Sequence, residues 1–346
     1  MGIRILHTPL NIANDAWSMS RAEREVGNRS TLAVLQQNRF AESADLDLGF
    51  SGVDARVRPL VRRIRKTALA LSAPWRYDLI VYEYGTSILD FRDRGLDLLD
   101  MKLAHRGHAV VAVVFHGCDV RAAGGACSFC PSPCDAARVS RRLAIIRSVA
   151  DLMYVKTPDL LEVVPEATYL PQAVYEPGGA VVRPPRMSGP LRVVHAPSNP
   201  ELKGTKHVIA AVEGLKAQGV DIQLQLIQGM PHADALAAYR DADVAVDQMY
   251  AGWYGVFAIE LMAMGKPVVC RIDSRALSRS GIDDLPIIPA NPQSLQDTLL
   301  RLSAQRPMLA QAGRRSREFV LAHHDARLLV TRLLSDYGRI RKGDPT

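Results

Sequence analysis

The feature that most limits what this chain can fold into is an alternation, run through twice, of short apolar stretches with segments of helical periodicity. "IRILH" (3–7), "TLAVL" (31–35), "DLIVYEYG" (78–85), "AVVAVVF" (109–115), "LMYVK" (152–156) and "ATYLP" (167–171) have the length and side chains of buried strands. Amphipathic stretches such as "WSMSRAEREVG" (17–27), closed by Gly27, lie between several of them. Runs apolar on both faces belong in parallel sheets covered on both sides by helices. The pattern therefore predicts doubly wound α/β sheets whose ligands bind beyond the carboxyl ends of the strands. "YEPGGAVVRPPRMSGP" (175–190), dense in Pro and Gly, separates the two rounds. The alternation then restarts with "LRVVHAP" (191–197), a helix over 205–219, "IQLQLIQG", "ADALAAYRDA" and "DVAVDQ", and turns wholly helical after about 292.

With 346 residues the chain exceeds what one core serves and suits two domains. The expected division is a Rossmann-like first domain (1–178) with a Cys-rich insert (118–134), a linker (179–190), a second Rossmann-like domain (191–324), and a closing helix (325–346) packing back toward the first. A composition of 48% hydrophobic and 23% charged residues excludes disordered and fibrous classes. The longest apolar run, 109–115, is far short of a membrane span, and the N-terminus opens on a strand pattern without a signal peptide's apolar core. The expectation is a cytoplasmic protein, with peripheral contact on the inner face of a membrane as an option. That option comes from the net charge of +7, concentrated in "RVRPLVRRIRK" (56–66), which carries six basic residues and no acid. Two readings stay open there: a solvated basic surface, or a patch for anionic lipid headgroups or an anionic acceptor. Aromatics are not interleaved with these charges, which argues against nucleic acid. Pro59 is expected to interrupt any long amphipathic helix in this segment.

"GVFAIELMAMGKPVV" (255–269) reads as a short helix entered at Gly255 and stopped at Gly265, with Pro267 and a strand-like "PVVCRI" after it. It carries one acid, Glu260, in an otherwise apolar stretch. A carboxylate there is costly unless a ligand, cation or backbone donor completes its bonding. Backbone N–H groups at Gly255, Val256 and Phe257 are expected to face an anion from the helix N-terminus.

Four segments, in order and spacing, then carry a resemblance: "VVFHGCDVR" (113–121), "LRVVHAPSNPELKGT" (191–205), "GMPHADALAAYRDADVAV" (229–246) and "GWYGVFAIELMAMGKPVV" (252–269). Together they resemble the signatures of the retaining glycosyltransferases of family 4, and the likeness covers nearly the whole chain. It implies the GT-B fold, two Rossmann-like doubly wound domains facing a central cleft. It also implies an enzyme that moves a sugar from a nucleotide diphosphate sugar, of UDP or GDP type, to a hydroxyl of a glycan, lipid-linked or natural-product acceptor. The catalytic set it implies is His116, Lys203 and Glu260. Glu260 would bind the ribose hydroxyls, Lys203 the donor phosphates, and His116 would face the transferred sugar or its phosphate. Asp119 is assigned a structural role in the His116 loop.

The chain departs from the family pattern twice. The family's Arg before the Lys is missing from "HAPSN", leaving Ser198 and Asn199, beside Gly204, as phosphate-side donors. The second acid that the family commonly has eight residues before the matching Glu is replaced by Gly252, leaving Gln248 and Tyr254 as candidate sugar contacts. Acceptor contacts are expected from loops 8–17 and 83–87, with Asn11, Asn14 and Tyr84 as candidates. An Asp-x-Asp metal site of the sort used by the other main glycosyltransferase fold is not expected, so the expected same-face mechanism requires no divalent ion or other cofactor. A nucleotide-sugar epimerase on the same fold, or a degenerate module that binds without turnover, are the alternatives. The turn after the first strand, "HTPLNIANDA", lacks G-x-G-x-x-G, which disfavours an oxidoreductase.

Five cysteines occur, and Cys118, Cys127, Cys130 and Cys134 fall within seventeen residues. Their spacing suits a structural zinc; reduced thiols, a disulfide or an iron–sulfur cluster are the other options. Cys270, alone in a strand pattern, reads as core.

Overall fold

The computed structural model describes residues 2–37, 42–49, 58–90, 96–124 and 134–343. The chain divides into two compact units, Met1–Tyr175 with Ala326–Thr346, and Glu176–Asp325.

The first unit is built on strands β1 (Arg4–Thr8), β2 (Arg29–Val34), β3 (Leu46–Asp47), β4 (Leu79–Glu83), β5 (Val110–Phe115), β6 (Leu152–Val155) and β7 (Thr168–Tyr169). They form one sheet in the order β3-β2-β1-β4-β5-β6-β7, with every pairing parallel. Its helices are α1 (Asp15–Glu25), α2 (Arg58–Arg76), α3 (Leu99–Arg106), α4 (Ala136–Val149) and the chain's last helix, α12 (Ala326–Lys342). Both faces of β4 and β5 are buried, which is why these strands read as unbroken apolar runs. One face packs Ile5, Leu79, Val81, Val110, Ala112 and Val114 against Met19 and Ala22 of α1 and Leu329, Val330 and Leu333 of α12. The Tyr154 hydroxyl donates to Asp336 at 2.7 Å and pins α12 to β6.

Pro59 does not interrupt α2. It sits in the helix's first turn, where a missing N–H has no intrahelical partner to lose, and the helix runs on for 19 residues.

The second unit contains β8 (Leu191–His195), α5 (Pro200–Lys203), α6 (Thr205–Ala217), β9 (Ile222–Leu226), α7 (His232–Tyr239), β10 (Val244–Val246), α8 (Val256–Ala263), β11 (Val268–Cys270), α9 (Ser274–Ser280), β12 (Ile287–Pro289), α10 (Leu295–Ala304) and α11 (Arg306–His323). Its sheet runs β12-β11-β10-β8-β9, again all parallel. Leu191, Val193, Val244 and Val246 pack with Val208, Val212 and Leu215 of α6 and Leu295 and Leu299 of α10. Cys270 is fully buried in β11. Residues 179–190 belong to this unit and are no free linker, because salt bridges hold them to it. The Arg186 N–H donates to Asp243 at 2.8 Å, and the Arg183 and Arg186 guanidiniums pair with Asp241 at 3.2 and 3.4 Å.

The stop of α8 is a Schellman turn. Gly265 takes φ +74, its N–H donates to the Met262 carbonyl, and the Lys266 N–H donates to Leu261. The Lys266 ammonium is buried and donates to the carbonyls of Arg240 and Ala242 at 2.9 and 2.6 Å. That burial pulls it down to about 8.

Candidate active site

In the second unit the chemistry collects around the N-terminus of α8. Lys203, at the end of α5, places Nζ 2.6 Å from Oδ1 of Asp247, an acid with no exposed surface that follows β10. Asp247 Oδ2 accepts the Gly255 N–H at 2.7 Å, so this single carboxylate positions both the lysine and the residue that opens α8. A Cβ at Gly255 would lie 3.4 Å from both Lys203 Nζ and Asp247 Oδ2, which locates ammonium and helix end beside each other. The Gly255 N–H, expected to face an anion, is thus already occupied. The N–H groups of Val256 and Phe257, in the first turn of α8, have no intrahelical acceptor.

Glu260 stands one turn into α8 and is only half-buried. Its Oε1 meets Nε2 of His232, at the start of α7, at 2.6 Å, while Oε2 accepts no bond from a described residue. The expectation that an outside ligand completes this carboxylate is therefore modified: His232 supplies one partner from within the chain. Phe257 packs edge-on to Tyr239 with ring centres 5.2 Å apart, which ties α7 to α8 and holds that pair in register.

Gly204 lies between α5 and α6 at φ +72, and a Cβ there would come within 2.9 Å of the Met249 Cβ. Asn199 caps α5 by accepting from the N–H groups of Glu201 and Leu202 at 3.0 and 3.1 Å; Ser198 is exposed beside it. The Gln248 amide donates to the Trp253 carbonyl. Tyr254 is buried, stacked on Trp253, with its hydroxyl 3.1 Å from His324 Nε2. Gly252 has its own reason to be glycine: a Cβ would lie 2.6 Å from that of Asp273, whose N–H donates to the Gly252 carbonyl at 2.8 Å. The acid found there in the resembling family has no room here.

In the first unit a chain of charged groups crosses the carboxyl ends of β1, β4 and β5. His7 lies between two carboxylates, with Nε2 3.1 Å from Glu23 and Nδ1 3.3 Å from Glu83 Oε1, and all three are buried. Carboxylates only accept, so both ring nitrogens donate and His7 is an imidazolium. Burial opposes that charge, but Glu23 and Glu83 outweigh it and raise His7 to about 10. Burial likewise opposes ionised Glu83, yet the bonds from His116 and His7 hold it down to about 2. The other oxygen of Glu83 accepts from His116 Nε2 at 2.8 Å, which fixes that ring with a hydrogen on Nε2. Tyr84, at φ +62, faces the same ring with centres 6.2 Å apart. Asp119 accepts the N–H groups of His116 and Gly117 at 3.1 and 2.6 Å, shaping the loop that presents His116. Beside them Asp15, at the start of α1, pairs with Lys156 at 2.7 Å and accepts the Ala173 N–H at 2.6 Å. One atom each from Asp15, Glu83 and His116 that could ligate a metal lies within 4.8 Å of the others. In the loop between β1 and α1, Asn11 donates to Asn14 at 3.2 Å, and Ala13 and Asn14 are both left-handed, at φ +50 and +61.

Cys118 and Cys134 flank a segment containing Cys127 and Cys130, which lie outside the described residues, as do residues 56 and 57 of the basic segment.

No family model and no curated protein compared matches the chain in sequence. Solved structures do match it in three dimensions. Sucrose-phosphate synthase from Thermosynechococcus elongatus is similar with a TM-score of 0.66 at 15% identity, over 99% of this chain and 100% of that one. HepE from Anabaena, solved with UDP-glucose, matches with a TM-score of 0.63 at 12% identity, over 96% and 99%. An alpha-glucosyltransferase solved with UDP-glucose and DNA containing an abasic site matches at 0.61 and 12%, over 98% and 100%. The fold is GT-B. At such identities the likeness is one of fold, and what the GT-B chain does rests on its own side chains. Both charged clusters occupy the carboxyl ends of their sheets, where open parallel sheets bind ligands.

Proposed function

We propose that this GT-B chain is a glycosyltransferase that takes its sugar from a nucleotide diphosphate donor held by the second unit and passes it, with retention, to an acceptor hydroxyl. The observation that carries the reading is the collection of Lys203, the first turn of α8 and Glu260 around one helix N-terminus. The first two suit a diphosphate, the third a vicinal diol. In this reading the Val256 and Phe257 N–H groups and the Lys203 ammonium take the diphosphate, and the ribose hydroxyls donate to Glu260. HepE and the alpha-glucosyltransferase were solved with UDP-glucose, which makes UDP sugars the first donors to test.

The reaction breaks the bond between the anomeric carbon and the leaving phosphate oxygen. The acceptor oxygen bonds that carbon on the same face, and its proton passes to the departing phosphate. Negative charge accumulates on the leaving diphosphate, so a fixed ammonium and aligned N–H groups are the stabilising elements the step needs. Asp247 is a positioning residue, because it holds Lys203 and the entry to α8 together. By the resemblance, His116 faces the transferred sugar, and Glu83 positions it through Nε2.

Gly252 favours a second reading, binding without turnover, since the Cβ of Asp273 leaves no space for the missing acid. Incubating the full chain with UDP-glucose and a panel of glycan and lipid-linked acceptors separates the possibilities. Acceptor-dependent UDP release with an α-linked product supports transfer. Donor interconversion supports an epimerase, and binding with neither supports the module without turnover.

A further inference from the structure

The surface of α2 carries a feature the donor site does not use. Leu60, Ile64, Leu71 and Trp75 are 62%, 58%, 50% and 61% exposed. At 100° per residue these four fall within about 60° of the helix circumference, so they form one stripe along about 22 Å of its length. Exposed Thr67 and Ala68 fill the gap between Ile64 and Leu71, making the stripe continuous. Leu69, Ala70 and Ala73, on the opposite side of the helix, are the residues that bury against the first unit. The stripe therefore contributes nothing to the core and leaves large apolar side chains in water, which costs solubility and needs a cause.

The charges show what that cause is. Exposed Arg63 falls to one side of the stripe and exposed Arg65 to the other, Arg62 lies on the side away from it, and α2 contains no carboxylate. No described helix is long and apolar enough to cross a membrane. We propose that α2 is an interfacial helix, by which the first unit lies on an anionic lipid bilayer. Leu60, Ile64, Leu71 and Trp75 enter the acyl boundary, and Arg63 and Arg65 meet the lipid phosphates on either side. A convex helix side fits a plane. A second copy of this chain fits poorly, because apposed stripes would bring the flanking Arg63 and Arg65 of one copy against those of the other. The proposal is independent of the donor reading, since no residue of α2 belongs to the second unit.

Flotation of the full chain with phosphatidylcholine vesicles, and with mixed phosphatidylcholine–phosphatidylglycerol vesicles, tests it. Binding is expected only with the anionic vesicles, falling at least about tenfold as salt is raised from low to near-molar concentration. Leu71→Gln with Trp75→Gln, and separately Arg63→Glu with Arg65→Glu, should each reduce binding by more than about tenfold. All four positions are exposed, so the nucleotide binding of both variants, and the thermal unfolding of the Leu71→Gln, Trp75→Gln pair, should match the parent. Trp75→Phe should still bind but lose the blue shift of tryptophan emission on vesicle addition, because Trp253 is buried and Trp17 half-buried. Failure to bind anionic vesicles at low salt, or equal binding by parent and both double variants, would overturn the proposal. So would a dimer in sedimentation velocity that the Leu71→Gln, Trp75→Gln pair converts to monomer, since the stripe would then belong to a second copy. Saturable capture of an acidic peptide without vesicle binding would likewise overturn it.

Discussion

Asp247 shows how one buried carboxylate can set the geometry of a whole site. It has no exposed surface and accepts from an ammonium and a backbone N–H that come from opposite ends of a 53-residue stretch, Lys203 and Gly255. Removing it leaves the lysine without its anchor and a half-buried donor without an acceptor. Asp247→Ala should cost about 1–3 kcal/mol of stability and about tenfold in affinity for UDP, read by urea unfolding and by calorimetric titration. An Asp247→Ala protein with parental UDP affinity would remove its positioning role. The pair Glu260–His232 works differently, since both side chains keep some exposure and a ligand can share the carboxylate. His195 belongs to the scaffold. It donates through Nδ1 to the Val246 carbonyl at 2.7 Å and accepts from the Thr205 hydroxyl at 2.9 Å, and burial keeps it neutral by pushing its pKa down.

Among the elements, α12 follows the second unit in sequence yet completes the core of the first. Leu333 is 1% exposed and packs with Val330 and Leu329 against strands β1, β4 and β5. Leu333→Ala should therefore destabilise the first unit by about 2–5 kcal/mol while leaving UDP affinity in place, measured by thermal unfolding with and without UDP. Parental stability in that variant would mean α12 is dispensable to the fold. The β-α alternation was legible because buried parallel strands must be apolar on both faces, and β1, β4, β5, β8 and β10 lie where the pattern put them. The edge strands β3 and β12 were not, because Leu46 lies between two acids and Ile287 and Ile288 between two prolines, neither of which reads as a strand. The helix α2 was misjudged at Pro59, since one proline in a first turn looks the same in sequence as one in mid-helix. Glu260 stood out as a lone acid in an apolar stretch, and Lys203 only through the resemblance of its segment. His7, Glu23 and Glu83 could not be found in either way: Glu23 looks like the polar face of an amphipathic helix until the fold buries it against His7. Asp247 carries a signal of its own, an acid directly after the apolar run of "DVAV".

At the level of the whole molecule, the two units carry buried cationic groups whose pKa values are shifted in opposite directions. His7, held near 10 against an ordinary 6.5, keeps a proton that the unfolded chain releases, so its stabilisation is complete below 6.5 and lost as pH rises toward 10. Glu83, held near 2 against 4.5, contributes fully above 4.5 and loses its contribution as pH falls toward 2. Lys266 acts the other way. Depressed to about 8 from 10.5, it releases its proton in the folded state first, so the second unit gains stability as pH rises from 8 toward 10.5. Calorimetric scans should show two transitions that separate above pH 8, the first unit's falling and the second unit's rising. His7→Gln should flatten the first trend and Lys266→Met the second. Transitions that move together across this range in all three proteins would contradict these assignments.

The central claim is that the α8 end of the second unit seats a nucleoside diphosphate, and UDP titration into the parent, Glu260→Ala and Lys203→Ala proteins tests it most directly. Saturable one-site binding to the parent is expected, weakened about 10- to 100-fold in each variant while circular dichroism stays unchanged. Binding of UDP with the same affinity to all three proteins, or no binding of UDP or GDP to the parent, would contradict it.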